Sequence, residues 1–223
     1  MLRPGSPWRT GINRVLALGP SRLALGLAIV LVLVSLALPF WSLSRAIGTD
    51  QDISSFSWTT FTTDRYRGGA WDGTEILPYT STLSPYRAVA SVLATAYLLD
   101  IVLLVVLAVV LALFSLEYGR TMPTLSLLVL SLIVLGVALV ALFLPIVAIP
   151  GAATTDLGTF TINGFWGTAS TAGPPTGWSW GPGLGWWILL LAVVLGTVGA
   201  VLPYVKSIRS MIPFPPPGWR PSS

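Results

Sequence analysis

One carboxyl, Asp100, stands near the middle of an apolar run, 86–114, that is long enough to cross a bilayer. A carboxylate at that depth costs about 2.5–3.5 kcal/mol on insertion scales. The interiors of the four apolar runs of this chain hold no Lys, Arg or His to offset it. The neutral acid, donating to a neighbour at similar depth, is therefore the expected form. Ser35, Ser131 and Thr197 fall near the middle of the other three runs, and Tyr97 lies one turn back on the same one. Two chemistries fit this set. One is a polar clasp between helices, worth about 0.6 kcal/mol per hydrogen bond. The other is a proton or ion site in a small oligomeric channel or transporter. The clasp is the plainer expectation.

A second set is aromatic. Trp58, Trp71, Phe165, Trp166, Trp178 and Trp180 lie in two polar connecting segments and exceed what two membrane girdles require. Trp is enriched at binding hot spots, so a face for a partner protein, glycan or lipid headgroup is one reading; filling the core of a small sheet is the other. On the last apolar run, Ala192, Gly196 and Ala200 form a smooth stripe at four-residue spacing, suited to close helix packing or to self-association.

Other chemistry is excluded or unsupported. With no Cys and no His the chain lacks disulfides, thiol nucleophiles, imidazole bases and the usual zinc, haem and iron–sulfur ligands. Asp50, Asp52 and Ser54 match the first, third and fifth places of a calcium loop, but Ser55 stands where the turn glycine belongs and Phe61 where the bidentate Glu belongs. Asp64, Asp72 and Glu75 have Arg65 and Arg67 nearby and form no recognisable hydrolytic pair. No metal, cofactor, catalytic residue or enzyme activity is expected, and no nucleic acid.

The elements that must position these residues can be read from composition. Of 223 residues 54% are hydrophobic and 9% charged, against about 25% charged in soluble domains, so lipid must cover most of the surface. The apolar runs 23–40, 86–114, 125–149 and 186–205 read as four transmembrane helices, the third broken near its end by Pro145 and stopped by Pro150-Gly151. Between them, 44–85 and 151–185 form outer loops. Ser and Thr around Phe56, Trp58 and Phe61 favour strands in the first. In the second, Asn163-Gly164 predicts a hairpin turn between 159–162 and 165–168, paired with strands of the first loop. Residues 1–22 carry Arg3, Arg9, Arg14 and Arg22 without an acid, and 207–223 is a Pro-rich tail. By the positive-inside rule both ends, and the turn holding Glu117 and Arg120, are cytoplasmic.

The expected fold is thus an all-α membrane protein, a four-transmembrane-helix bundle over 23–206 with a small β-containing extracytoplasmic cap. Four spans, a longer β-leaning first outer loop and a shorter second one resemble the claudin-like tetraspan plan. Of that family's first-loop signature of Trp, Gly-Leu-Trp and a Cys pair, this chain has Trp58 and Trp71 but neither Gly-Leu-Trp nor Cys, so no residue role carries over. Phe165-Trp166-Gly167 with 180–186 beyond it is also similar to uncharacterised prokaryotic four-span membrane proteins, a likeness that implies no function. The expected role is an interaction or accessory protein of the cell membrane, with the bilayer and a membrane-protein partner or a second copy as its partners. The alternative is the channel or transporter built on Asp100.

Overall fold

The structure, a computed structural model, describes residues 19–116, 122–158, 160–171 and 175–211. Arg3, Arg9 and Arg14 of the leading arm, the Glu117 and Arg120 turn and the Pro-rich tail from 212 onward lie outside the described residues, and with them most of the orientation signal, while Arg22 lies in the first helix.

The fold is mixed rather than all-α. Helices α1 (Pro20–Ser35), α2 (Arg87–Ser115), α3 (Thr124–Leu157) and α4 (Leu184–Met211) support a six-stranded sheet. Its strands are β1 (Trp41–Ile47), β2 (Asp50–Phe56), β3 (Thr60–Arg67), β4 (Ala70–Pro78), β5 (Gly167–Thr171) and β6 (Thr176–Pro182), all antiparallel in the order β4-β3-β2-β1-β6-β5. This is too large a sheet for the small cap expected of an all-α protein. It forms because the Ser- and Thr-rich first segment is strand almost throughout, starting at Trp41. The turn between β3 and β4 is Gly68-Gly69, with φ of 58° and 81°, the left-handed pair that a two-residue hairpin loop requires.

The count of spans also changes. Three helices, α2, α3 and α4, are long and apolar enough to cross a membrane. Helix α1 has 16 residues, roughly 24 Å at 1.5 Å per residue, short of a hydrocarbon core of about 30 Å. It stops early because 36–40 turn the chain directly into β1. Leu98, Leu132 and Val147 point outward from the helices, and such apolar faces fit embedding in a membrane.

Helix α3 runs through Pro145 and Pro150 instead of breaking at the first and stopping at the second, and ends at Gly158 in the left-handed conformation (φ 63°). Each proline removes one backbone hydrogen bond, to the carbonyls of Ala141 and Ile146, a local loss that helices of membrane proteins tolerate. Nearer the end of the helix the Thr154 hydroxyl donates to the Pro150 carbonyl (2.8 Å). Around the bundle, α1 packs between α2 and α4, and α3 closes the other side against the same two. Buried residues of α2 fall at 89, 93, 96, 100, 103, 107, 110 and 114, the alternating four-and-three spacing of an interior seam.

Candidate functional site

Asp100 sits on that seam, fully buried, and neither of its carboxyl oxygens has a hydrogen-bond partner among the described residues. The expected clasp is not made. The Ser35 hydroxyl donates to the Val32 carbonyl of its own helix (2.7 Å). The Ser131 hydroxyl reaches the Leu127 carbonyl (2.8 Å) and the Ala200 carbonyl of α4 (3.0 Å). Thr197 is half-buried, with its hydroxyl enclosed and unpartnered among the described residues, and Tyr97 turns its ring toward Trp58, 5.8 Å between centroids. Hydroxyls on helices bond back to carbonyls three or four residues earlier, and both serines are engaged in that way.

The small-residue stripe is used inside the bundle. Ala192, Gly196 and Ala200 are buried, and a Cβ at Gly196 would lie 2.9 Å from Leu107 and 3.5 Å from Ala28. A second seam is equally close. A Cβ at Gly199 would meet Leu25 at 2.9 Å, and one at Gly185 would meet the Leu38 carbonyl at 2.9 Å. Positions 185, 192 and 199 recur every seven residues, a signal present in the sequence.

The aromatic set divides. Trp58, Phe165 and Trp180 are buried at the junction of sheet and helices. There the Trp41 indole N–H donates to the Phe165 carbonyl (2.9 Å) and that of Trp180 to the Gly164 carbonyl (3.0 Å). The Asn163-Gly164 turn therefore makes no hairpin. Gly164 is left-handed (φ 87°), but Ile162 and Phe165 are drawn into the core, and the hairpin forms later, between β5 and β6. Trp178 is half-buried against Phe160. Trp71 and Trp166 are outward, 64% and 61% exposed.

Register arranges the inner face of the sheet in three rungs. Nearest the helices runs Trp41, Phe56, Phe61, Leu77; next Trp180, Leu43, Ser54, Thr63, Glu75; farthest Trp178, Arg45, Asp52, Arg65. The gradient from aromatic to hydroxyl to charge ends in an open cleft of about 430 Å³, closed on the helix side by Pro85, Tyr86 and Leu157. Its acids are engaged: Glu75 pairs with Arg65, and Asp52 accepts from Arg67 (2.8 Å). Asp52 holds the Arg67 guanidinium above its ordinary pKa. Burial pushes the Tyr86 hydroxyl up, and its hydrogen bond with Ser54 opposes this. Arg45 makes no hydrogen bond or ion pair among the described residues; its guanidinium lies 5.6 Å from the centre of the Trp178 ring.

One engaged carboxyl has no counterpart in the sequence reading. Asp156, near the end of α3, accepts from the backbone N–H groups of Ala88 (2.9 Å) and Val89 (2.8 Å), capping the first turn of α2 from a neighbouring helix. An acid just past an apolar run was the available signal. The described residues contain no cluster of acids able to hold a metal ion. No protein-family model matches the chain, and no curated protein matches it.

Proposed function

We propose that this is a membrane-embedded accessory protein, without catalytic activity, that presents the outer face of its sheet to a partner protein. With α2, α3 and α4 as the spans, both connections that build the sheet lie on one side of the membrane, and Lys206 and Arg209 at the far end of α4 favour the cytoplasm for the opposite side, which leaves the sheet on the outer side. The observation that carries the reading is Trp71. It pairs across from Tyr66 at the far end of the sheet, five residues along β3 from Phe61, or roughly 17 Å from the helix junction at about 3.3 Å per residue. At that distance neither the sheet core nor a membrane girdle accounts for a Trp that is 64% exposed. Ile76, on the same outer face of β4, is 63% exposed. A large aromatic and an aliphatic residue exposed on one face of a free edge strand have the character of interface anchors.

Co-purification from native membranes tests this. A partner retained by the wild type should be lost from the Trp71→Ala, Ile76→Ser double variant, which keeps its fold because both side chains are outside the core. Undiminished recovery of that partner would count against the outer face.

A second reading rests on Asp100, whose unsatisfied carboxyl in the bundle interior is the kind of group that proton and ion paths use. Flux through reconstituted vesicles that Asp100→Asn abolishes would support it; no flux in the wild type would remove it.

A further inference from the structure

The cleft on the inner face of the sheet is separate from the outer face proposed for the partner protein, and its chemistry is different. We propose that it binds an anionic amphiphile, with a phosphate or carboxylate head on Arg45 and an apolar body on the aromatic floor. Three observations meet there. First, the charges are unequal in availability. Glu75 is taken by Arg65 and Asp52 by Arg67, whereas the Arg45 guanidinium has no carboxylate partner among the described residues and rests near the Trp178 ring. A guanidinium held by an aromatic face keeps its N–H edge free for a planar or tetrahedral oxyanion.

Second, the cleft has volume, about 430 Å³, within the range of about 300–1,000 Å³ of small-ligand sites. Third, it is polar at one end and apolar at the other. Below the charged rung lie Leu43, Phe61 and Leu77, and the helix side is closed by Tyr86 and Leu157. An inorganic anion would leave that floor uncovered. A neutral apolar molecule would leave Arg45 unused.

The direction of the gradient matters. The apolar end faces the start of α2 and the end of α3, helices that fit a bilayer, and Leu83, 77% exposed, stands at the lip between β4 and α2. A head-out, tail-toward-membrane ligand matches this polarity. A lipid of the surrounding leaflet and a soluble fatty acid or phosphate monoester share that chemistry, and the test separates them.

The full chain, purified in a neutral maltoside detergent, is titrated by calorimetry with hexyl phosphate, inorganic phosphate and dihexanoyl phosphatidylglycerol. The expected result is saturable binding of hexyl phosphate or of the phosphatidylglycerol at least about tenfold tighter than inorganic phosphate, weakened by about tenfold or more in Arg45→Gln. Preference for the phosphatidylglycerol identifies a bilayer lipid as the source, and preference for hexyl phosphate a soluble amphiphile. Arg45 is exposed, so the Arg45→Gln chain should melt as the wild type does, and Trp71→Ala should bind both amphiphiles normally. Equal binding by Arg45→Gln, inorganic phosphate binding as tightly as hexyl phosphate, or no saturable binding would overturn the proposal. Because Trp71→Ala is the outer-face variant, loss of partner capture and loss of amphiphile binding are read independently.

Discussion

Asp100 and Asp156 lie on neighbouring long apolar helices, and the structure treats them oppositely. Asp156 accepts two backbone N–H groups at the start of α2; Asp100, fully buried, accepts none and donates to none among the described residues. The sheet resembles Asp156. Asp50 accepts from the Gly68 N–H (2.8 Å), Asp64 from the Thr74 hydroxyl (2.5 Å), Asp52 from Arg67, and Glu75 from Arg65. Carboxyls are thus held by donors where strands and helix ends meet, whereas within the helical layer Asp100 has none, and the Trp186 indole N–H and the Thr197 hydroxyl likewise have no partner among the described residues. A carboxyl held by donors stabilises the fold, whereas one buried without them costs free energy and is retained either for work or at no selective cost.

Substitutions can break or sharpen that contrast, and the largest effects fall at the junction of sheet and helices. Trp41 is fully buried and hydrogen-bonded to Phe165, so Trp41→Ala should destabilise by about 3–5 kcal/mol, measured by denaturant unfolding in detergent. Gly183 comes next. A Cβ there would stand 2.3 Å from the Pro39 carbonyl oxygen, and Gly183→Ala should cost about 3 kcal/mol by forcing the α1–β1 and β6–α4 links apart, seen as a lowered melting temperature. Asp156→Ala should cost about 1–2 kcal/mol by uncapping α2, with faster hydrogen exchange confined to the first turn of that helix.

Asp100→Leu should go the other way, stabilising by about 1–2 kcal/mol because it removes an unsatisfied buried group. A destabilised Asp100→Leu chain would mean that the carboxyl has found a partner after all, and the contrast with Asp156 would fail. The smallest effect concerns pH. Tyr79 donates to the Ser57 carbonyl (2.8 Å), and burial raises its pKa from 10.0. The raised folded-state value means that its contribution is complete below pH 10 and declines as pH climbs above it. Tyr79→Phe should lose about 1 kcal/mol at neutral pH and show a shallower alkaline decline.

Much of the helical layer was legible in the sequence because hydrocarbon imposes long apolar runs. The span 86–114 corresponds to α2 within a residue at either end. Composition misjudged α1 and α3 because where a helix ends depends on the segment beyond it: the α1–β1 link consumed the end of the first run, and α3 continued past Pro150 to the left-handed Gly158. The sheet was legible as strand composition around Phe56 and Phe61 but not in its extent, which depends on pairing between β1 and β6, separated by more than a hundred residues. The Asn163-Gly164 turn had the right local chemistry and lost to burial of Ile162 and Phe165. Asp100 was visible from its isolation. Its lack of a partner was not, since the serines opposite had nearer carbonyls to reach. The role of Asp156 required knowing which helix starts beside which helix ends.

The outer face of β4 carries the central claim, and photo-crosslinking in intact cells tests it most directly. With p-benzoylphenylalanine placed at position 71, the account predicts one discrete protein adduct that is absent when the same probe replaces Leu98 on the outward face of α2. Adducts from position 98 alone, or none from position 71 in cells where the chain is embedded, would contradict it.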